Sequence, residues 1–272
     1  MEGNAKKAET GGIRGILRVL SRIHHRIMGL YLFILFLILW QIAPSVGWTN
    51  PVLIPSFSTV LAEGAYIGLG NVLVHIAISM KRVFVGFIIS TAVALPLGFI
   101  LSGALPRIAE ALNPLMHFLS QVPPFILYPV FLIIVGPGEF GIYAVILWSA
   151  FWPILFTTID GMRGIDARLI QCARSMNAGN FAVFTKVVFP AIFPNLVLGI
   201  RSGLTMSFLM MVGAESLGAA SGMGFMIRNA QQIGAVARIY LGALLVAIVG
   251  FLLNFAAVEV EKTLVTWKEI AQ

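Results

Sequence analysis

Long apolar runs constrain the fold of this chain more than any other feature of its sequence. A helix needs about 20 apolar residues to cross the hydrocarbon core of a bilayer. Of the 272 residues, 59% are hydrophobic and only 11% are charged, with a mean hydropathy of +0.95, so a water-soluble fold could not cover its apolar surface. The chain is therefore predicted to be an all-α integral membrane protein. Six transmembrane helices are expected, near residues 28–45, 83–103, 112–135, 140–159, 190–213 and 239–259.

Basic residues predict the orientation of these helices. Most of the 18 Lys and Arg residues fall on the cytoplasmic side when both termini are placed there, as the positive-inside rule requires. Residues 1–26 would form a basic cytoplasmic arm and residues 27–272 a single transmembrane domain. No small-residue cleavage site follows Leu39–Ala43, so the first run is interpreted as a retained helix and not as a signal peptide. The same distribution explains most of the net charge of +7 without a nucleic acid partner.

Few polar residues suggest chemistry of their own. The single cysteine, Cys172, and the four histidines show no spacing suited to a metal site. Lys81 and Arg82 would stand at the outer end of the second helix, where snorkelling to lipid headgroups is favoured over contact with a soluble partner.

The connection between the fourth and fifth helices, about residues 161–190, is the longest one on the predicted cytoplasmic side. Asp166 can accept hydrogen bonds from free backbone N–H groups and so cap a short helix. Apolar residues then recur at helical spacing. They are Leu169, Cys172 or Ala173, and Met176.

A turn is predicted after Met176. Asn177 can adopt the left-handed conformation that ends helices, and Asn180 can cap a second short helix. Phe181, Phe184 and Val188 form the apolar stripe of that helix. Both stripes could pack on the membrane helices of the same chain, or they could fill a groove on a soluble partner. The residues themselves leave both readings open.

The spacing of this loop resembles that of the permease subunits of ATP-binding-cassette (ABC) importers. Their pattern is Glu-Ala-Ala, three residues, Gly, nine residues, then Ile-x-Leu-Pro. Identity is kept only at Ala173 and Pro190, and Gln171 replaces the Glu and so loses its carboxylate. The positions that correspond to the pattern are Gln171, Cys172, Ala173, Asn177, Val187, Val188, Phe189 and Pro190.

The resemblance extends over about residues 55–265. It includes "HIAISMKRVFVGFIISTAVALPLGFILSG" (75–103), "VPPFILYPVFLIIVGPGEFGIYAVI" (122–146), "WPILFTTIDGMRGID" (152–166) and "GMGF" (222–225). Within the family, the chain looks most like the permeases of the nitrate, sulfonate, taurine and bicarbonate group.

The resemblance implies a type I ABC importer permease fold in the inner membrane of a bacterium. It implies two cytoplasmic ATPase subunits that carry the ATP and Mg²⁺, a second permease subunit, identical or related, and an extracytoplasmic substrate-binding protein. No cofactor would be bound by this chain. The loop would dock on the ATPase through Asp166, Leu169, Gln171, Cys172, Ala173, Met176, Asn177, Gly179, Phe181, Phe184 and Pro190.

Two other classes of function were weighed. The chain has no Gly-x-x-x-x-Gly-Lys-Ser/Thr motif, so by that motif ATP hydrolysis belongs to another subunit. An ion-coupled secondary transporter would place ionisable residues in mid-membrane, and Asp160, Arg201, Glu215 and Glu259 are not clearly placed there with opposite partners. A membrane-embedded enzyme would need converging catalytic groups, which the sequence does not suggest.

Candidates for the translocation pathway are polar or small residues within or beside apolar helices. Glu215 precedes the small-residue stretch "SLGAASGMGF", which is expected to fold back as an outer gate containing Gly222 and Gly224. Ser207 could instead bond to its own helix, and Gln121 could lie at an interface.

Overall fold

The computed structural model describes residues 31–136 and 138–265. The predicted basic arm, residues 1–26, lies outside them. The chain divides into two compact units, the first ending at Tyr66 and the second beginning at Ile67. In the first unit, helix α1 (Tyr31–Ile42) is followed by α2 (Phe57–Ile67). Trp40 Nε1 donates to the carbonyl of Pro55 at 3.0 Å and the Gln41 side chain bonds to Ser58, which ties the end of α1 to the start of α2.

The second unit is mostly helical, with short turns between its helices and no strand among its described residues. It consists of α3 (Leu69–Phe99) with a π-helical turn at Ile100–Ala104, α4 (Pro106–Ser120), α5 (Pro124–Val135), α6 (Glu139–Arg163), α7 (Ala167–Ser175), α8 (Asn180–Val183) with a π-helical turn at Phe184–Val188, α9 (Phe189–Gly218), α10 (Met223–Gln232) and α11 (Val236–Leu264).

Among the described residues, four helices are long and apolar enough to cross a membrane. They are Leu69–Ala104, Glu139–Arg163, Asn180–Gly218 and Val236–Leu264. The bent pair α4 and α5 would make a fifth span, and α1 is a shorter apolar helix. The all-α membrane architecture is thus confirmed.

The third predicted span, 112–135, is not one straight helix. It is divided between α4 and α5, which meet at an angle of 93°. Pro123 and Pro124 follow the end of α4 at Ser120, and proline can neither donate a backbone hydrogen bond nor leave the preceding residue free to stay helical. An apolar run therefore spans the break, although the helix does not.

The second predicted span begins earlier than expected. It was placed at 83–103, whereas α3 starts at Leu69 and is helical through Lys81 and Arg82. Arg82 is therefore about 20 Å into the helix at 1.5 Å per residue, and its charge does not mark the helix end.

Helices α3, α6 and α9 form the centre of the second unit. Glycines allow their backbones to approach closely, as small residues do between membrane helices. A Cβ on Gly86 of α3 would lie 2.6 Å from Ile146 of α6, and one on Gly203 of α9 would lie 2.7 Å from Ile154 of α6. These three helices pack side by side, and they position everything described below.

Candidate functional site

The connection between α6 and α9 begins with a short capped helix. Asp166 is the N-cap of α7, since its Oδ1 accepts from the backbone N–H of Arg168 at 2.9 Å. The predicted cap at Asp166 is confirmed.

Asn177 adopts the left-handed conformation that its position in the sequence predicted. Its φ is +59°, and it is the only non-glycine residue with positive φ among the described residues. Its N–H donates to the carbonyl of Arg174, and the next N–H, of Ala178, donates to the carbonyl of Ala173. The chain therefore reverses direction immediately after α7.

The second half of the loop differs from the prediction. Gly179, and not Asn180, is the N-cap residue, and Asn180 is the first residue of α8. The second helix is also not a separate short helix, because α8 continues through the π-helical turn into α9. Pro190 does not interrupt this path, since it follows closely after the π-helical turn, and such local adjustments accommodate proline in membrane helices.

Most of the predicted apolar positions of the loop are exposed on this chain. The exposed fractions are 52% for Leu169, 83% for Met176 and 81% for Phe181. The reading in which these side chains pack on the protein's own membrane helices is therefore wrong for these three. Cys172 is exposed and Gln171 is exposed too.

Other side chains attach the loop to the helices. Val183 and Val188 are buried, and Phe184 meets Phe99 of α3 edge to face, with ring centroids 5.4 Å apart. The loop thus packs on the end of α3 through one face and leaves an apolar face uncovered.

At the other end of α6 and α9, a buried arginine of α3 forms hydrogen bonds to α6, to α9 and to the turn before α10. The guanidinium of Arg82 in α3 has five N–H donors, and it donates to five acceptor atoms on Glu139, Glu215 and Ser221. Nε and Nη2 donate to the two carboxylate oxygens of Glu139, at the start of α6. Nη1 donates to Glu215 of α9 at 2.6 Å. Nη1 also donates to the carbonyl of Ser221, and Nη2 donates to the hydroxyl of the same residue. We call His75, Ser79, Arg82, Glu139, Glu215 and Ser221 the Arg82 cluster.

Glu215 is fully buried within the Arg82 cluster. Besides Arg82, it accepts from the Ser79 hydroxyl at 2.8 Å and from the backbone N–H of Gly224 at 2.9 Å. Gly224 lies in the first turn of α10, where free N–H groups and the helix dipole favour a negative charge. The carboxylate is thus compensated by a cation, a hydroxyl and a helix N-terminus.

The turn before α10 is held by the same cluster. The N–H of Gly222 donates to Nδ1 of His75 at 3.0 Å, and the N–H of Met223 donates to the Ser79 hydroxyl at 2.8 Å. Gly222 has φ of +111°, and a Cβ there would lie 2.3 Å from both carboxylate oxygens of Glu215. Only glycine fits this position without displacing the carboxylate.

Sequence reasoning missed most of this cluster. Arg82 was expected to snorkel to headgroups, but it is 1% exposed, whereas its neighbour Lys81 is exposed. The expectation that Glu215 lacks an opposite partner is wrong as well. The signal was available, because an arginine flanked by apolar residues in a membrane helix is expected to be paired with an acid.

The remaining pathway candidates lie apart from the Arg82 cluster. Ser207 in α9 is fully buried, and its hydroxyl has no hydrogen-bond partner among the described residues, so the expected bond to its own helix is not formed. Gln121 is exposed at the break between α4 and α5. No metal-binding group of His, Cys, Asp and Glu is found in the residues that the structure covers.

Two helices connect the loop with the Arg82 cluster. Helix α6 has Glu139 as its first residue and runs to Arg163, just before α7, and α9 runs from the loop to Glu215 near its end. At 1.5 Å per residue the two sites are about 40 Å apart. The second unit therefore has an uncovered apolar face at one end of α6 and α9 and a buried charge cluster at the other.

Comparison with known proteins gives a family for this architecture. Residues 94–264 match the model of the family described as "Binding-protein-dependent transport system inner membrane component".

Three curated relatives are similar over most of their length. The putative aliphatic sulfonates transport permease protein SsuC of Bacillus subtilis (strain 168) is 32% identical over 241 residues, 88% of this chain and 87% of the relative. The taurine transport system permease protein TauC of Escherichia coli (strain K12) is 28% identical, covering 71% and 70%. The nitrate import permease protein NrtB of Leptolyngbya laminosa is 32% identical, covering 66% and 64%.

A solved structure shares the fold. A chain from the inward-facing MetNI methionine ABC transporter superposes with a TM-score of 0.62 at 20% identity, covering 72% of this chain and 97% of the other. The helix arrangement built up above is thus one that a solved transporter also adopts.

Proposed function

This chain belongs to the family of binding-protein-dependent transport system inner membrane components and is a non-catalytic permease subunit of an ABC importer, and from that premise we propose that it imports a small oxoanion and is driven through the loop at residues 165–190. The loop would dock in a groove of a cytoplasmic ATPase subunit. The partner ATPases would bind and hydrolyse the ATP with Mg²⁺.

The observation that carries this proposal is the uncovered apolar face of the loop. Leu169, Met176 and Phe181 are each at least half exposed. They lie in the connection between α6 and α9 or at its end, where lipid would not cover them as it covers the exposed apolar side chains of the spans. The left-handed turn at Asn177 brings the end of α7 and the start of α8 together. A short helix with apolar anchors at helical spacing suits a groove on another protein.

The partners and the orientation follow from the same proposal. The positive-inside distribution supports cytoplasmic termini, so the loop would face the ATPase and the Arg82 cluster would face outward. The six apolar runs of the sequence would be the six spans, in a bacterial inner membrane. Two such permease subunits, identical or related, would enclose the pathway over two ATPases. An extracytoplasmic binding protein would deliver the substrate to the outer side.

The gate would lie at the outer end. The N–H groups of Gly222, Met223 and Gly224 hold the turn before α10 in place, because they donate to His75, Ser79 and Glu215. Movement of this turn would open the pathway outward, and Ser207, buried farther along α9, would be a polar group within it.

The substrate class is proposed from the relatives. Their names specify aliphatic sulfonates, taurine and nitrate, which share a negatively charged centre with several terminal oxygens. We therefore propose a small oxoanion of the sulfonate or nitrate kind as the substrate.

A double substitution tests the docking. Met176→Asp with Phe181→Asp would place two charges in the contact, and we expect at least a tenfold loss of ATPase association, since central interface residues contribute about 2 kcal/mol or more each. Co-purification of the ATPase and uptake of radiolabelled taurine are measured. Lys186→Gln, an exposed polar change in the same loop, is the matched control. Retention of the ATPase by the double variant would contradict the proposal.

A further inference from the structure

The guanidinium of Arg82 presents one edge to a carboxylate that is partly in solvent. Nε donates to Oε2 of Glu139 at 2.7 Å, and Nη2 donates to its Oε1. This two-point contact is the geometry by which arginine recognises carboxylate and other groups with two terminal oxygens. A sulfonate has three terminal oxygens on a tetrahedral sulfur, and it can present two of them to the same edge.

The two carboxylates bound by Arg82 differ in their exposure. The side chain of Glu215 is 0% exposed and that of Glu139 is 53% exposed. Glu215 has additional donors in Ser79 and Gly224. Because the Glu139 side chain is already half in water, its carboxylate can be rehydrated when it leaves. The buried Nε–Nη2 edge of Arg82 then needs another acceptor, while Nη1 keeps Glu215 and Ser221.

The charges also favour an exchange. One guanidinium faces two carboxylates, so replacement of Glu139 by another monoanion leaves the charge of the Arg82 cluster unchanged. A released Glu139 retains a nearby cation, because Lys81 is exposed beside Arg82 and attracts it electrostatically.

We infer that the Nε–Nη2 edge of Arg82 is an oxoanion-binding site that Glu139 occupies in the closed arrangement, and that the transported anion exchanges with Glu139. The inference rests on the proposed function for the identity of the anion. It makes Glu139 an internal stand-in for substrate at the outer gate. Ser221, whose hydroxyl is 3.2 Å from Nη2, lies beside the position of the incoming anion.

Chemical rescue tests the site. The full chain carrying Glu139→Ala is purified and its thermal unfolding is followed with increasing methanesulfonate, against chloride at the same ionic strength. Methanesulfonate should raise the midpoint by about 2–4 °C in a saturable manner, as a ligand specific for the folded state does. The wild-type midpoint should rise only at higher methanesulfonate concentrations, because the anion must first displace Glu139.

Three control variants define the site. The shift should vanish in Arg82→Met/Glu139→Ala, which lacks the guanidinium, and in Glu139→Gln, whose amide occupies the space. It should not exceed the wild-type shift in Glu261→Ala, which removes the partner of Arg201 from a single-contact ion pair of 2.7 Å. If Glu139→Ala does not accumulate, Glu139→Ser is used with the same expectations. The inference is overturned if methanesulfonate does not raise the unfolding midpoint of Glu139→Ala, or if it raises the midpoint of any control variant equally.

The outcome is separable from the proposed function. Rescue requires neither the ATPase nor transport, whereas the function is tested by taurine and nitrate uptake in the wild-type importer. Uptake without rescue overturns the site and leaves the function intact. Rescue without uptake overturns the substrate assignment and leaves the anion site intact.

Discussion

Arg82 shows how the surroundings of a single residue determine its role. It stands in an apolar stretch of α3 with its side chain 1% exposed. Removing an arginine from water is unfavourable unless its donors are satisfied by charged or polar partners, and here all five are. Glu215 benefits in turn, since its charge is held by Arg82, Ser79 and the start of α10. A substitution in this cluster is therefore expected to impair function when it removes or displaces a hydrogen bond to the Glu215 carboxylate.

Gly222→Ala is predicted to disrupt the Arg82 cluster. The new Cβ would lie 2.3 Å from the Glu215 oxygens at a φ of +111°, a backbone region that is almost confined to glycine and costs other residues about 1–3 kcal/mol. We expect uptake to fall at least tenfold with the ATPase still bound.

Gly234→Ala is the matched control for that change. Gly234 also has positive φ, +71°, but nothing lies within 4 Å of its added Cβ. It therefore carries backbone strain without the clash. Equal losses of uptake in the two variants would show that strain alone, and not the displaced carboxylate, causes the defect.

At the scale of elements, the loop has its apolar face outward because of one turn. Helix α7 is only nine residues long, too short to be stable by itself in water, and Phe184 secures the following segment to α3. The left-handed residue after α7 sets the direction of the chain between these two anchors. The orientation of Met176 and Phe181 depends on it.

Asn177→Val is predicted to uncouple the loop from its partner. A β-branched residue resists the φ of +59°, at a cost of about 1–2 kcal/mol, so the turn should rearrange. Asn177→Gly, which adopts this conformation freely, should behave like wild type. The measurements are ATPase co-purification and substrate uptake, and normal values for the valine variant would refute the importance of the turn.

At the scale of the whole molecule, the second unit links two distant sites through packed helices. Helices α6 and α9 pack along their length, with Gly199 of α9 so close to α6 that a Cβ would lie 1.9 Å from Thr157 Oγ1. Close contact between two long helices allows a displacement at the loop to reach the other end. The loop and the Arg82 cluster would then act together as parts of one rigid pair.

Gly199→Ala is predicted to impair this transmission. The added methyl group should push α9 away from α6, and overpacking of this kind costs about 1–3 kcal/mol. We expect ATP hydrolysis to persist while uptake per ATP falls several-fold. Gly103→Ala is the control, because its nearest neighbour, Met162, would be 3.6 Å away. An unchanged ratio of uptake to hydrolysis in Gly199→Ala would contradict the rigid-pair interpretation.

The sequence by itself determined the features that depend on local chemistry. The apolar composition predicted a membrane protein, and the residue types predicted the helix cap at Asp166 and the positive φ at Asn177. Each of these features depends only on residues that are close together in the sequence. The spacing of the loop also indicated the family, which the matched relatives support.

Only the tertiary structure decided the features that depend on contacts between distant segments. The pairing of Arg82 with Glu139 and Glu215 joins residues 57 and 133 positions apart, and the loop is attached through Phe184 to Phe99 of α3. The prolines at 123 and 124 indicated an interrupted helix, but the 93° angle between α4 and α5 and the early start of α3 were not predictable for a related reason. Hydropathy records which residues suit a lipid environment, whereas the direction of a helix and the partners of its charges are set by the helices that pack around it.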